Sequence, residues 1–342
     1  MKVICYLKVS VILIVLSSLV LSSGCSWGGG KEGPQGPTGA DGAQGEQGPP
    51  GLGYSPMQIA LQRWYEAIQT GDNVPVGQTL TDLVFDGRNI WVADGLDSFV
   101  ARVTSWDGLI VDGYSVGNYP SALCFDGLNV WVANRDDGTV TKIRAADGME
   151  VGTYFAGQSP SDITFDGTSI WVACGLENSV IRIRASDGLI SDNYAVENYP
   201  CAVAFDGSSV WVANGEGAAV TKLKASDGTL VGTYAVGEGP IGVLFDGANV
   251  WVANSDDDTV TKIRSSDGTK LGTYRVGEYP CCLAFDGLYV WVGNLSSNTV
   301  TKLRASDGGL VGTYIAVSPQ ALAFDGANIW VASLYDGALR KL

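Results

Sequence analysis

Histidine is missing from all 342 residues, and much enzyme chemistry goes with it. A Ser-His-Asp or Cys-His arrangement needs an imidazole to take and return a proton, so neither exists here. Positive charge is scarce: 21 Lys and Arg stand against 36 Asp and Glu, a formal charge of −15. Setting aside Lys2 and Lys8, which fall in an N-terminal leader, leaves 19 against 36, or −17. That balance argues against nucleic acid as a partner and against adhesion to anionic lipid. No C-x-x-C spacing occurs, so no metal or dithiol redox site is indicated. Beyond Cys5 and Cys25 there are five cysteines, at positions where sister copies of a repeat carry Ala, Ser, Asn or Thr. An odd number leaves at least one thiol unpaired, and all five are read as buried free thiols packing as small hydrophobes. Helical periodicity of useful length is also lacking from the repeats.

What the chain has instead is repetition. The triplet F-D-G opens at Phe85, Phe125, Phe165, Phe205, Phe245 and Phe285, 40 residues apart each time, and a seventh copy opens at Phe324, one residue early. A fixed internal period of this length marks a repeat architecture. The copy spanning 245–284, with the residue that follows it, holds four short runs, 249–253, 259–264, 271–276 and 280–285, rich in Val, Ile, Thr, Trp and Tyr. Those residues favour pleated, half-buried surface. Asp246-Gly247 and Asp267-Gly268 mark tight turns, where Gly takes positive φ at no steric cost. Four antiparallel strands per copy, seven times over, predict an all-β fold: a seven-bladed β-propeller. The seventh copy lacks an outermost strand, and Val74-Pro75-Val76-Gly77 matches its V-G end (compare Val276-Gly277). An N-terminal strand is therefore expected to complete that blade and close the ring, which removes free sheet edges.

The pattern V-G-x-x-P-x-x-L-A-F-D-G-x-N-V-W-V-A-N-x-x-x-x-T-V-T-K-I-R resembles the YVTN family of bacterial propeller repeats over about residues 74–342. It is more distantly similar to streptogramin-lyase-like and gluconolactonase-like propellers. The family's Y-V-T-N stands here as W-V-A-N at 131–134, 211–214 and 251–254, while Asp94, Cys174 and Ser333 replace the Asn in other blades. The resemblance implies the fold more than an activity, because propellers host many unrelated functions. Streptogramin-lyase-like relatives rely on a histidine base, which this chain does not have.

Ahead of the repeats the sequence divides into a signal peptide (1–24), a linker (25–29), a glycine-periodic tract (30–53) and a short helix (55–71), with the propeller at 72–342. Lys2 and Lys8 form a basic head before the apolar run 9–21. The leader ends in Leu21-Ser22-Ser23-Gly24-Cys25, which resembles a bacterial lipobox with Leu one place early, and makes Cys25 the lipidation site. An ordinary cleaved signal or a retained helix is the alternative. Lipidation would anchor the protein to the membrane without spanning it, and Ser26 after the cysteine resembles outer-membrane sorting. Gly at 30, 33, 36, 39, 42, 45, 48 and 51 gives a collagen-like Gly-X-Y stalk, either a homotrimer or an extended spacer of roughly 70 Å. Ser55-Pro56 starts the helix and Gly71 ends it; Met57, Leu61, Trp64 and Ile68 form its apolar stripe. That stripe suits a trimeric neck or a helix packed on the propeller.

Candidate chemistry sits on loops. The V-G-x-x-P loop and the loop after W-V-A-N should emerge on one face of each blade. The first brings Tyr119, Tyr199 and Tyr279 in alternate blades, with Glu197, Glu238 and Glu278; the second brings Asp136, Asp137, Asp256, Asp257 and Asp258. These vary between copies while the strands do not, as expected where loops carry recognition. Tyrosine beside acids suits protein or carbohydrate partners, and the acids could hold Ca²⁺ loosely, although no loop has D-x-D-x-D-G spacing. A merely soluble acidic face is the other reading. No cofactor is expected. By analogy with the gluconolactonase-like relatives, a metal in the central channel would fall to Asp82 and Asp162, two carboxylates in seven blades. One Trp per blade is read as packing between blades, and the Lys/Arg ring 102, 142, 182, 222, 262, 302 and 341 as a solvated face pairing with Asp. The expectation is a non-catalytic, lipid-anchored envelope protein with a binding head. A metal-dependent lactonase-like hydrolase and a purely structural envelope spacer are the alternatives.

Overall fold

Residues 73–342 are described by a computed structural model, and every run that the repeat predicts is a strand there. In the copy opened by Phe245 the strands are Asn249–Asn254, Thr259–Arg264, Lys270–Arg275 and Pro280–Phe285, each within one residue of the expected run. Strands are numbered here in chain order. The first blade is β2 (Leu80–Phe85), β3 (Asn89–Asp94), β4 (Phe99–Thr104) and β5 (Ile110–Ser115), innermost to outermost. Seven such four-stranded antiparallel sheets follow one another. The only helical element among the described residues is one 3-10 turn, Gly175–Glu177. The lipobox, the Gly-X-Y stalk and the 55–71 helix lie outside the described residues.

The seventh blade is built from both ends of this region. β26 (Pro319–Phe324), β27 (Ile329–Ser333) and β28 (Ala338–Lys341) supply three strands, and β1 (Val74–Pro75) supplies the fourth. β1 pairs antiparallel with β28 in the register Val74 to Leu339 and Pro75 to Ala338. Pro75 sits where a proline is tolerated, on an outermost strand whose far side needs no N–H donor. Trp330 then packs with Leu80, Leu83, Ile90 and Val92 of the first blade, so the closing joint is apolar like the rest.

The joints explain the repeat's fixed residues. Each middle strand is covered on both faces by neighbouring blades: Trp251, Val252 and Ala253 are all fully buried. Trp131 packs against Ile163, Ile170 and Val172 of the following blade. In all seven copies the indole N–H donates to the F-D-G aspartate, at 2.7 Å from Trp251 to Asp246. The other oxygen of Asp246 accepts the backbone N–H groups of Ala248 and Asn249. That carboxylate therefore ties turn to core, a role beyond the Gly-type turn propensity visible in the sequence. Burial opposes the charge at Asp126, but the Trp131 and Asn129 hydrogen bonds outweigh it and hold the carboxyl below the usual range.

The basic ring is not a solvated face. Lys142 Nζ donates to Ala185 O of the next blade at 2.7 Å, Lys222 to Ser265 O at 2.6 Å, Lys262 to Ala305 O at 2.6 Å and Lys341 to Ser105 O at 2.7 Å. Arg102 and Arg182 reach Ala145 O and Ala225 O while also pairing with Asp112 and Asp192. Each of these cations lies over its own blade's Trp, at 5.0 Å for Lys262 on Trp251. A long stem along an aromatic face, with its head on a carbonyl, is a latch between blades. The expected Asp pairing holds for the two arginines, whose forked heads reach two acceptors, and for Lys222, whose Nζ lies 3.5 Å from the Asp206 carboxylate.

The cysteine reading also needs amendment. Only Cys124 and Cys174 are buried; Cys201, Cys281 and Cys282 are half-buried. Cys281 Sγ lies 3.1 Å from Pro319 O, in the slot where Thr81, Ser121 and Ser161 donate a hydroxyl to the next blade's proline carbonyl. It replaces a hydroxyl, so it is more than a small hydrophobe. Burial pushes the Cys174 thiol up to about 12, which keeps it protonated.

Candidate functional site

Antiparallel pairing of each innermost strand with its neighbour puts Pro200 opposite Asn214 and Pro280 opposite Asn294. The loop before the proline and the loop after the asparagine therefore leave the blade side by side. Hydrogen bonds join them. Asp137 accepts the backbone N–H of Asn118 at 2.7 Å and its side-chain amide at 2.9 Å. Asp257 accepts Glu238 N–H at 2.8 Å, and in the third blade Glu177 accepts Gln158 N–H at 3.0 Å. Asp258 reaches across to the next blade, accepting Tyr279 N–H at 3.0 Å, as Asn178 accepts Tyr199 N–H at 2.9 Å. Asp137, Asp257 and Asp258 are thus committed to loop shape. A carboxylate bonded to backbone N–H groups has less capacity left for a ligand.

The three tyrosines are brought onto this face in the second, fourth and sixth blades, each half-buried. Tyr119, Tyr199 and Tyr279 have φ of 52°, 56° and 54°. Gly239 fills the same slot in the fifth blade with φ 65°. That left-handed conformation is free for glycine and costs a bulky L residue about 1 kcal/mol. The Tyr119 ring lies across Gly95 of the preceding blade and the Tyr199 ring across Gly175, so small residues beneath fix both rings. Arg135, the one basic residue in these loops, stacks over Tyr119 at 3.6 Å and pairs with Asp136 at 3.4 Å. Sequence reasoning missed this stack, since no linear spacing relates the two residues.

Glu197, Glu238, Glu278, Asp136 and Asp256 are exposed around the tyrosines. The face is acidic and aromatic, with side chains held from below. Among the described residues, no three His, Cys, Asp or Glu side chains form a metal-sized group, either here or in the channel.

Asp82 and Asp162 occupy equivalent innermost-strand positions, each half-buried at the channel. The Asp82 carboxylate accepts Leu123 N–H at 2.7 Å, and Asp162 accepts Val203 N–H at 2.7 Å and Ile163 N–H at 2.8 Å. Burial, with the charge of Asp162 next, raises Asp82 to about 8 despite the backbone hydrogen bonds that oppose it. Burial raises Asp162 to about 7. Both carboxyls are enclosed against the next blade, and Asp82 is largely protonated at neutral pH.

No protein-family model and no curated protein matches the chain. Solved structures do match. Hydrazine synthase of Kuenenia stuttgartiensis superposes with TM-score 0.70 at 17% identity, over 78% of this chain and 95% of that one. U3-55K gives TM-score 0.71 at 14% identity, over 80% and 98%. The RRP9 WD40 repeats give 0.71 at 14%, over 79% and 96%. The likeness is one of fold. At these identities it establishes the seven-bladed, four-stranded propeller and leaves chemistry to the residues themselves.

Proposed function

We propose that this propeller is the non-catalytic binding head of an exported, lipid-anchored envelope protein, and that its acidic, tyrosine-bearing loop face takes a protein or carbohydrate partner. The observation that carries the reading is the backbone at Tyr119, Tyr199 and Tyr279. The fold is served by Gly at that slot, as Gly239 demonstrates, yet three alternate blades hold a large ring there against local strain. Rigid tyrosines carry contact area at low entropic cost, which suits a recognition surface. Two of the comparison proteins are described by their WD40 repeats or as U3-55K, and propellers of that build commonly serve as interaction scaffolds.

Anchoring through Cys25, outer-membrane sorting and a Gly-X-Y stalk belong to this reading on sequence grounds. Mass spectrometry of the mature protein tests the anchor by showing whether Cys25 carries acyl chains. A channel hydrolase is the weaker reading, because Asp82 and Asp162 turn their oxygens to backbone N–H groups. The binding test is a titration of bacterial polysaccharides, peptidoglycan fragments and isolated envelope proteins against the full chain. The expected result is saturable binding that the triple variant Y119G/Y199G/Y279G loses; equal binding by both sinks the proposal.

A further inference from the structure

Six of the seven joints are finished the same way, and one is not. Where a turn joins the third and outermost strands of a blade, its glycine covers the tyrosine of the blade before: Gly148 lies on Tyr114, Gly188 on Tyr154, Gly228 on Tyr194, Gly268 on Tyr234 and Gly308 on Tyr274. Gly108 covers Val74, which stands in the tyrosine slot of the closing blade. The same turn supplies the carbonyl that receives the preceding blade's latch. In the seventh blade no turn joins the third strand, β28, to the outermost strand, β1, because the latter comes from the other end of the chain.

Among the described residues the sixth blade, β22 (Pro280–Phe285), β23 (Tyr289–Asn294), β24 (Thr299–Arg304) and β25 (Leu310–Ile315), therefore faces a gap where the other blades meet a turn. Lys302 is the one cation of the ring that reaches no carbonyl among the described residues; it rests 4.0 Å over Tyr289 and 4.2 Å over Trp291. Tyr314 is 39% exposed, the only one of its stacked set counted as exposed, and Trp291 is 6% exposed where the other six tryptophans are at 0%. The three departures share one place.

We infer that the gap is the docking site of residues 54–72 of this same chain. The described chain begins at Asn73, one residue before β1, and in sequence the residues that match the turn 265–269 of the Phe245 copy are 65–69, just ahead of that strand. Aligning Val76-Gly77 with Val276-Gly277 sets Ile68 against the turn glycine Gly268, within the stretch that carries Met57, Leu61 and Trp64. That stretch offers apolar side chains for Tyr314, and Glu66, Asp72 or a carbonyl for Lys302.

Acetylation of lysines in the full chain, read by peptide mass spectrometry, tests this. Lys262, latched to Ala305, is the protected standard, and exposed Lys224 the reactive one. Lys302 is expected to react at a rate near that of Lys262 in the monomer. Replacing Trp64 and Ile68 by Asp should speed it about tenfold while Lys262 stays slow. A carbodiimide cross-link from Lys302 to Glu66 or Asp72 identifies the occupant directly. Reactivity of Lys302 matching Lys224 in the unchanged chain overturns the inference. So does protection that disappears on dilution, which assigns the gap to a second copy. Should the double variant loosen the whole ring, raising Lys262 as well, the unchanged chain's own ranking of the three lysines decides.

Discussion

The body of the ring and its loop face follow opposite rules. In the body, seven copies keep the same Trp and Asp and a Lys or Arg at one slot, and the two arginines accompany Asp112 and Asp192 on their own blades' outermost strands. On the loop face, blades differ freely, and three of them place tyrosine where backbone geometry favours glycine. The difference teaches how to separate residues kept for folding from residues kept for something else. Removing a body residue should lower stability in proportion to its burial, whereas removing a rim tyrosine should scarcely change stability.

The largest effect is expected at the tryptophans. Trp251→Ala deletes a fully buried ring that also donates to Asp246, and should cost about 3–5 kcal/mol in chemical denaturation. A loss comparable to that of a surface substitution would show that the joints do not carry the fold.

The channel carboxyls come next, with a pH signature. An unfolded aspartate loses its proton near pH 4, whereas Asp82 holds its proton to about 8 and Asp162 to about 7. Between those limits the folded chain binds protons that the unfolded chain has released, so stability should fall as pH rises from about 4 to about 8. Turn aspartates held low, such as Asp227 at about 2, act in the other direction and lose their contribution as pH falls below about 4. Asp82→Asn with Asp162→Asn keeps acceptors for Leu123 and Val203 N–H and should flatten the upper limb, gaining on the order of 2 kcal/mol at pH 9. Melting curves that keep their slope above pH 5 in the double variant would assign the limb to other groups.

The latches give a smaller and more discriminating contrast. Lys262→Met should cost about 1 kcal/mol through its lost bond to Ala305 O.

Much of the body was legible in the sequence because one period, one turn signal and one strand composition repeat seven times. Strand positions, blade number and the closing role of Val74 all follow from that pattern. The Trp–Asp bond and the lysine latch did not, although both recur in every copy or nearly so. Their partners sit five residues or a whole blade away, and no spacing rule states that an indole reaches back to its turn. The rim was legible only as composition: Tyr119 and its acidic neighbours were visible, but the left-handed backbone beneath the ring was not. Neither was the engagement of Asp137, Asp257 and Asp258 in bracing the loops.

The smallest expected effect on stability is at the rim. Replacing Tyr119, Tyr199 and Tyr279 by Gly trades ring contact for relief of positive φ, two effects of opposite sign, and the three changes together should shift stability by less than about 1 kcal/mol.

One paired measurement bears most directly on the division between body and rim: denaturation midpoint and partner binding, compared for Y119G/Y199G/Y279G and for Lys262→Met in the full chain. The rim variant should bind at least about tenfold more weakly with its midpoint nearly unmoved, and the latch variant should bind normally with its midpoint lowered. Binding that survives in the rim variant, or fails in step with stability in both, would contradict the account.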